Sequence, residues 1–147
     1  MKTLLYIYLV LVIQVFSIEG RSDGDMYALT SSDQAFFERM RKAVLDDDTE
    51  WVANALAYPF DARLEKGKIK LKTAKDFKKH AKIILNERLK SILRKQSIKT
   101  LFKNWQGIMV GDGEIWFSEV EENTNKASKD SWVYRITAIN LDATRNR

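Results

Sequence analysis

The chain of 147 residues contains no cysteine. This absence excludes disulfide bonds and metal sites with thiolate ligands, and it excludes a lipid anchor attached to an N-terminal cysteine. Many small secreted domains of eukaryotes depend on disulfide bonds. An exported chain without cysteine is therefore more typical of a bacterial periplasmic or secreted protein.

Proline, glycine and histidine are also scarce. One proline and six glycines leave no long flexible linker that would divide the chain. His80 is the single histidine, so a site for a soft metal ion is not expected. No Gly-x-Ser-x-Gly, P-loop or dinucleotide-binding sequence occurs. The sequence predicts no metal site and no cofactor.

The N-terminal segment has the layout of a secretory signal peptide. Lys2 supplies a positive charge, residues 4–16 form an apolar run interrupted by Gln14, and Gly20 is a small residue at a plausible cleavage position. A membrane-spanning helix needs about 20 apolar residues, so the run is short for a span, although an uncleaved anchor is the alternative. We expect a signal peptide over 1–20, a flexible arm over 21–30, a single domain over 31–147, and a periplasmic or secreted location.

Helical spacing of apolar residues dominates the first part of the domain. A capping box from Ser31 to Gln34 and the apolar positions that follow predict a helix over about 33–45. A second, short helix is capped by Asp48 or Thr49. Residues 60–71 alternate as a β-hairpin does. A long amphipathic stretch then follows Thr73 and breaks near Asn86.

In the second part of the domain, apolar residues recur about every second position, as they do in a β-strand. Strands are predicted over 98–103, 105–111, 114–121 and 131–141, with a polar connection over 122–130. Helices that are segregated from strands indicate the α+β class. The packing we expect is a curved, mainly antiparallel sheet with the N-terminal helices on its concave face.

Two segments carry a resemblance to a known superfamily. Tyr58-Pro59-Phe60 follows the second helix, and residues 107–117 read GIMVGDGEIWF within the predicted sheet. In this order, residues 31–141 resemble the nuclear transport factor 2-like superfamily, and in particular its small exported bacterial members. The resemblance implies a cone-shaped α+β fold with a pocket between helices and sheet. The superfamily includes isomerases and cyclases as well as binding modules without enzymatic activity, so fold does not decide between them.

Aromatic side chains on the predicted strands and beside the second helix are the candidates for lining such a pocket. Their alternative role is ordinary core packing. The ligand-binding residues that we predict are Tyr58, Trp105, Trp116, Tyr134 and Glu114. The function that we predict is an exported, non-enzymatic binding module that acts through a protein partner or an apolar ligand in its cone, and no catalytic residue is predicted. In the alternative, a small acid–base enzyme acting on an apolar substrate, the reacting groups would be Glu114, His80, Tyr58 and Tyr134.

The last strand and the charge distribution bear on partners. Strict alternation would place Trp132, Tyr134, Ile136 and Ala138 on one face, and Val133, Thr137, Ile139 and Leu141 on the other. Both faces are then apolar, which predicts a protein partner or a homodimer on the outer sheet face.

Residues 61–103 carry 15 Lys/Arg and four Asp/Glu, a net charge of 15 − 4 = +11. This basic region is a solvated helix face or a surface for an acidic protein or anionic lipid; nucleic acid is not expected, because stacking aromatics are not interleaved with the basic groups.

Overall fold

The computed structural model describes residues 27–122 and 132–142. The predicted signal peptide, most of the predicted arm and most of the connection over 122–130 lie outside these residues. Within them the chain forms four α-helices and a curved, mainly antiparallel sheet of six strands, so the predicted α+β class is confirmed. The elements in chain order are α1 (Ser31–Leu45), α2 (Thr49–Ala55), β1 (Phe60–Leu64), β2 (Gly67–Leu71), α3 (Ala74–Ile84), α4 (Glu87–Lys95), a 3-10 turn (Ile98–Thr100), β3 (Phe102–Asn104), β4 (Gly107–Val110), β5 (Ile115–Glu121) and β6 (Trp132–Asn140).

Each α-helix begins at a side chain that accepts a hydrogen bond from the backbone N–H three residues later. The four capping residues are Thr30, Asp48, Thr73 and Asn86. The predicted break near Asn86 is confirmed. The predicted cap at Ser31 is wrong by one residue, because Thr30 and Asp33 form the capping box and α1 starts at Ser31.

The sheet has the strand order β2-β1-β6-β5-β4-β3. All neighbouring strands run antiparallel except β1 and β6, which pair in parallel through Ala62 and Ile139. The strand predicted over 98–103 is wrong in its first half, because Ile98–Thr100 closes a 3-10 turn before β3 starts at Phe102. The last of the described strands therefore lies in the middle of the sheet, and β2 and β3 form its edges.

The core lies between the helices and one face of the sheet, which we call the inner face. Ile108, Phe117 and Ile136 from three neighbouring strands are almost completely buried there. They meet the apolar sides of the helices, including Phe37, Met40, Phe77 and Leu89. Alternate residues of the same strands project to the opposite, outer face.

A β-bulge in β6 contradicts the strict alternation expected for this strand. Phe117 pairs with Ile136 and Trp116 pairs with Ala138, so Thr137 has no residue opposite it. Ile136 and Ile139 are consequently both buried, three positions apart. The predicted division of β6 into two apolar faces is wrong from Thr137 onwards, because the extra residue returns Ile139 and Leu141 to the core.

Candidate functional site

The clearest concentration of aromatic rings surrounds Phe36 on α1. Its ring centroid lies 5.6 Å from that of Trp51, 5.2 Å from that of Phe117 and 5.2 Å from that of Tyr134. These separations are typical of favourable aromatic pairs. The four residues, which we call the aromatic cluster, bring together α1, α2, β5 and β6.

Asp33, one turn before Phe36, is the most enclosed carboxylate of the cluster's surroundings. Its side chain is 3 % exposed. Lys103 Nζ donates to Oδ2 at 2.6 Å, Tyr134 Oη donates to Oδ1 at 2.7 Å, and the backbone N–H of Thr30 donates to Oδ2 at 2.7 Å. This Asp33 network ties the start of α1 to β3 and β6, so it fixes the helix on the inner face.

The network also fixes the charge state of its members. Burial tends to raise the pKa of Asp33, but the hydrogen bonds from Lys103, Thr30 and Tyr134 together outweigh burial and hold this pKa below its ordinary value of 3.8. Burial, followed by the hydrogen bond to Asp33, raises the pKa of Tyr134 above its ordinary value of 10. Asp33 is therefore ionised and Tyr134 protonated near neutral pH, which suits a structural hydrogen bond better than proton transfer to a substrate.

An open cleft of about 670 Å³ lies beside the aromatic cluster, between α1, α2 and β6. Its charged lining residues are paired with one another or with neighbours. Arg39 lies 4.8 Å from the centroid of the Trp51 ring and forms an ion pair with Asp48 at 2.9 Å. Glu50 pairs with Lys78, and Arg135 pairs with Glu122. The cleft is thus lined by aromatic rings and by charged side chains that form ion pairs.

Glu114 is buried in the turn between β4 and β5 rather than in this cleft. Its carboxylate accepts a hydrogen bond from the backbone N–H of Asp112 at 2.6 Å, while Gly111 N–H donates to the side chain of Gln96 at 2.7 Å. The Glu114 carbonyl accepts from the Asn140 N–H at 2.7 Å. These bonds hold the turn against α4 and β6.

Four side chains form a row across the outer sheet face. Phe102 pairs with Met109, Met109 with Trp116, and Trp116 with Ala138. Residues directly opposite one another on adjacent strands share a face of the sheet. We call Phe102, Met109, Trp116 and Ala138 the apolar row; Phe102 is 52 % exposed, and an open cleft of about 330 Å³ runs past Trp116 and Ala138.

The structure does not gather the five predicted ligand-binding residues in one place. Tyr134 lines the cleft beside the aromatic cluster, and Trp116 belongs to the apolar row. Glu114 borders a third cleft, next to Gln96 and Gly111. Trp105 is 80 % exposed in the two-residue turn between β3 and β4, although a strand was expected there.

Tyr58 and His80 form local hydrogen bonds. The Tyr58 hydroxyl donates to the Ala53 carbonyl at 2.8 Å, beside a further cleft. Burial, with a smaller contribution from the charge of Asp76, raises the pKa of Tyr58 to about 12. His80 Nδ1 hydrogen-bonds to the Asp76 carbonyl oxygen at 2.9 Å within α3. Neither residue lines the cleft beside the aromatic cluster.

Asp33, Phe36 and Lys103 were not predicted from the sequence to be members of a common site. The Thr30–Asp33 spacing is a local signal for a capping box and was available. The contacts from Asp33 to Lys103 and to Tyr134 join residues 70 and 101 positions apart, and no local pattern announces them.

Comparisons with protein-family models, with curated proteins and with solved structures found no match to the chain. The resemblance to the nuclear transport factor 2-like superfamily therefore stays a prediction. Within residues 27–122 and 132–142, no group of three or more His, Cys, Asp or Glu side chains is arranged to hold a metal ion. No helix among these residues is both long and apolar enough to cross a membrane.

Proposed function

We propose that the chain is an exported, non-enzymatic protein-binding module that binds its partner through the outer sheet face. The apolar row is the observation that carries this proposal. Phe102, Met109, Trp116 and Ala138 come from four adjacent strands; Phe102 is 52 % exposed and the other three are partly buried. Aromatic residues and methionine are enriched in protein interfaces, while isolated exposed apolar residues are ordinary. A continuous row is the arrangement expected of a contact surface.

The inner face supports a binding function over an acid–base enzyme. The rings of the aromatic cluster pack against one another between helices and sheet, and the Asp33 carboxylate at their edge already accepts hydrogen bonds from three donors. Tyr58 and Tyr134 hold their protons to high pH. A general acid or base works best with a pKa near the operating pH.

A second copy of this chain is the simplest partner, because symmetric dimers are the commonest oligomers and use one self-complementary patch. The alternative partner is a different protein that carries an apolar patch. Native mass spectrometry of the chain recovered from its own extracytoplasmic fraction distinguishes the two. The same spectrum gives the mass of the intact chain, and the difference from the mass of the full sequence checks cleavage near Gly20.

The matched pair of variants is Phe102→Glu and Ile83→Glu. Both positions are exposed, at 52 % and 57 %, so neither change disturbs the core. We expect Phe102→Glu to weaken the association about tenfold or more, because it places a charge in the apolar contact. Ile83→Glu, on α3, leaves it unchanged. A wild-type chain that stays monomeric and carries no partner, or an equal loss in both variants, would overturn the proposal.

A further inference from the structure

The solvent side of α3 carries lysines that the fold does not use. Lys75, Lys79 and Lys82 lie within about 60° of one another around the helix, at 100° per residue. Phe77, Ala81 and Ile84 face the core on the other side. Lys75 and Lys82 form no ion pair with any described residue, and Lys79 approaches Asp76 only at 4.0 Å. We call Lys75, Lys79 and Lys82 the lysine face.

The acidic groups nearest to the lysine face are committed to other tasks. Asp76 caps α3, where its Oδ2 accepts from the Thr73 N–H at 3.1 Å. Glu50 pairs with Lys78 at 2.5 Å. These two acidic groups therefore do not neutralise the lysine face. Lys72, which is exposed just before the cap, adds a further positive charge beside it.

Ile83 adds an exposed apolar side chain to this basic surface. It follows Lys82 directly and lies about 40° around the helix from Lys79, and it is 57 % exposed. Solvation alone would favour a polar residue at this position. Lysine side chains can extend their charged ends to a polar headgroup layer while an apolar neighbour enters the boundary below it.

We propose that α3 binds an anionic lipid surface, with Lys75, Lys79 and Lys82 on the headgroups and Ile83 in the interfacial layer. Charge complementarity selects an anionic surface, and Ile83 favours a bilayer over a soluble polyanion, which offers no apolar layer. This surface is separate from the apolar row, so the proposal stands or falls independently of the proposed protein partner.

The test is co-sedimentation of the chain, as recovered from the expressing cells, with vesicles. One set contains phosphatidylcholine alone, and the other contains phosphatidylcholine with phosphatidylglycerol. We expect binding to the anionic set, weakening as salt rises. The neutral set measures any contribution from the apolar run over 4–16. Binding of equal strength to both sets would overturn the proposal.

The variants separate this surface from the overall positive charge. The triple change K75Q, K79Q and K82Q is expected to weaken binding about fivefold per lysine. The matched control K66Q, K95Q and K99Q removes the same charge from exposed lysines outside α3. We expect this control to weaken binding to the anionic vesicles far less. Equal losses would contradict the proposal. Ile83→Ser lowers lipid binding but leaves retention on inorganic polyphosphate unchanged; if it alters neither, α3 is a polyanion site and the lipid proposal is wrong.

Discussion

The carboxylate of Asp33 receives hydrogen bonds from three separate parts of the chain. Its oxygens accept hydrogen bonds from Thr30, Lys103 and Tyr134. Asp33 also lies in the first turn of α1, where the positive end of the helix dipole stabilises a negative charge. Removing the charge leaves the ammonium group of Lys103, whose side chain is 21 % exposed, without its partner.

Asp33→Asn is therefore expected to lower the free energy of unfolding by about 3 kcal/mol at neutral pH. It should also change the pH dependence. The folded pKa of Asp33 lies below its unfolded value, so its contribution is fully present above the unfolded pKa near 4 and is lost as pH falls through the folded pKa. Denaturant unfolding at several pH values measures both effects, and the wild type should lose more stability on acidification than the variant.

Glu38→Gln on the same helix is the control. Its carboxylate is 41 % exposed and pairs with Arg41, so we expect a change within about 0.5 kcal/mol. Equal losses in the two variants would show that the Asp33 network contributes nothing beyond an ordinary surface ion pair.

At the scale of the element, the β4–β5 hairpin depends on a close approach at Gly107. This residue has φ +127°, and a Cβ atom built on it would lie 2.6 Å from the carbonyl oxygen of Phe117. Gly67, at the start of β2, has nearly the same backbone angle, φ +133°, but a Cβ atom there meets nothing within 4 Å. The two glycines thus separate backbone strain from steric overlap.

We expect Gly67→Ala to cost about 1–2 kcal/mol of stability from backbone strain alone. Gly107→Ala should cost about 1–3 kcal/mol more, because β5 must move away from the added methyl group. Thermal or denaturant unfolding of the two variants gives the difference. If Gly67→Ala proves as damaging as Gly107→Ala, the contact with Phe117 is not what requires glycine in β4.

The elements that the sequence predicted are those with local signals. α3 and α4 could be located because Phe77, Ala81, Ile84 and Leu89 recur at helical spacing and Asn86 can cap. The bulge at Thr137 could not be located, since it depends on which residues of β5 and β6 pair. Trp105 was expected on a strand because its apolar character suits one. The turn at 105–106 has local signals, since Asn104 accepts a hydrogen bond from the Gln106 N–H and Gly107 follows, but the apolar pattern was given more weight.

At the scale of the whole molecule, the middle of the sheet and its edges differ in how many neighbours hold them. Asn140 N–H donates to the Glu114 carbonyl on one side, and Leu141 N–H donates to the Arg63 carbonyl on the other, each at 2.7 Å. β3 has a neighbour on one side within the described chain. Backbone N–H groups near the end of β6 therefore donate hydrogen bonds to neighbours on both sides.

Hydrogen exchange should report this difference. We expect the amides of Asn140 and Leu141 to exchange at least about tenfold more slowly than those of Phe102–Asn104, because opening the centre of the sheet requires more of the fold to open. Exchange followed by NMR or mass spectrometry gives the rates. Equal rates would mean that the sheet opens as a single unit.

The fold class followed from the order of helices and strands, whereas the candidate site did not follow. The aromatic cluster brings Phe36 from the first helix against Phe117 and Tyr134 from two later strands. Such contacts between distant parts of a chain depend on the three-dimensional packing, which periodicity and composition do not specify.

The central position of β6 has a consequence for the order in which the protein is made. Synthesis delivers this strand after all the other described strands, yet β1 and β5 both depend on it as a neighbour. Until the ribosome has added residues 132–140, two halves of the sheet exist without the strand that joins them, and contacts so far apart in the chain form slowly. The six-stranded sheet therefore cannot be completed until residues 132–140 have been made, and until then β1 and β5 both lack the neighbour that joins them.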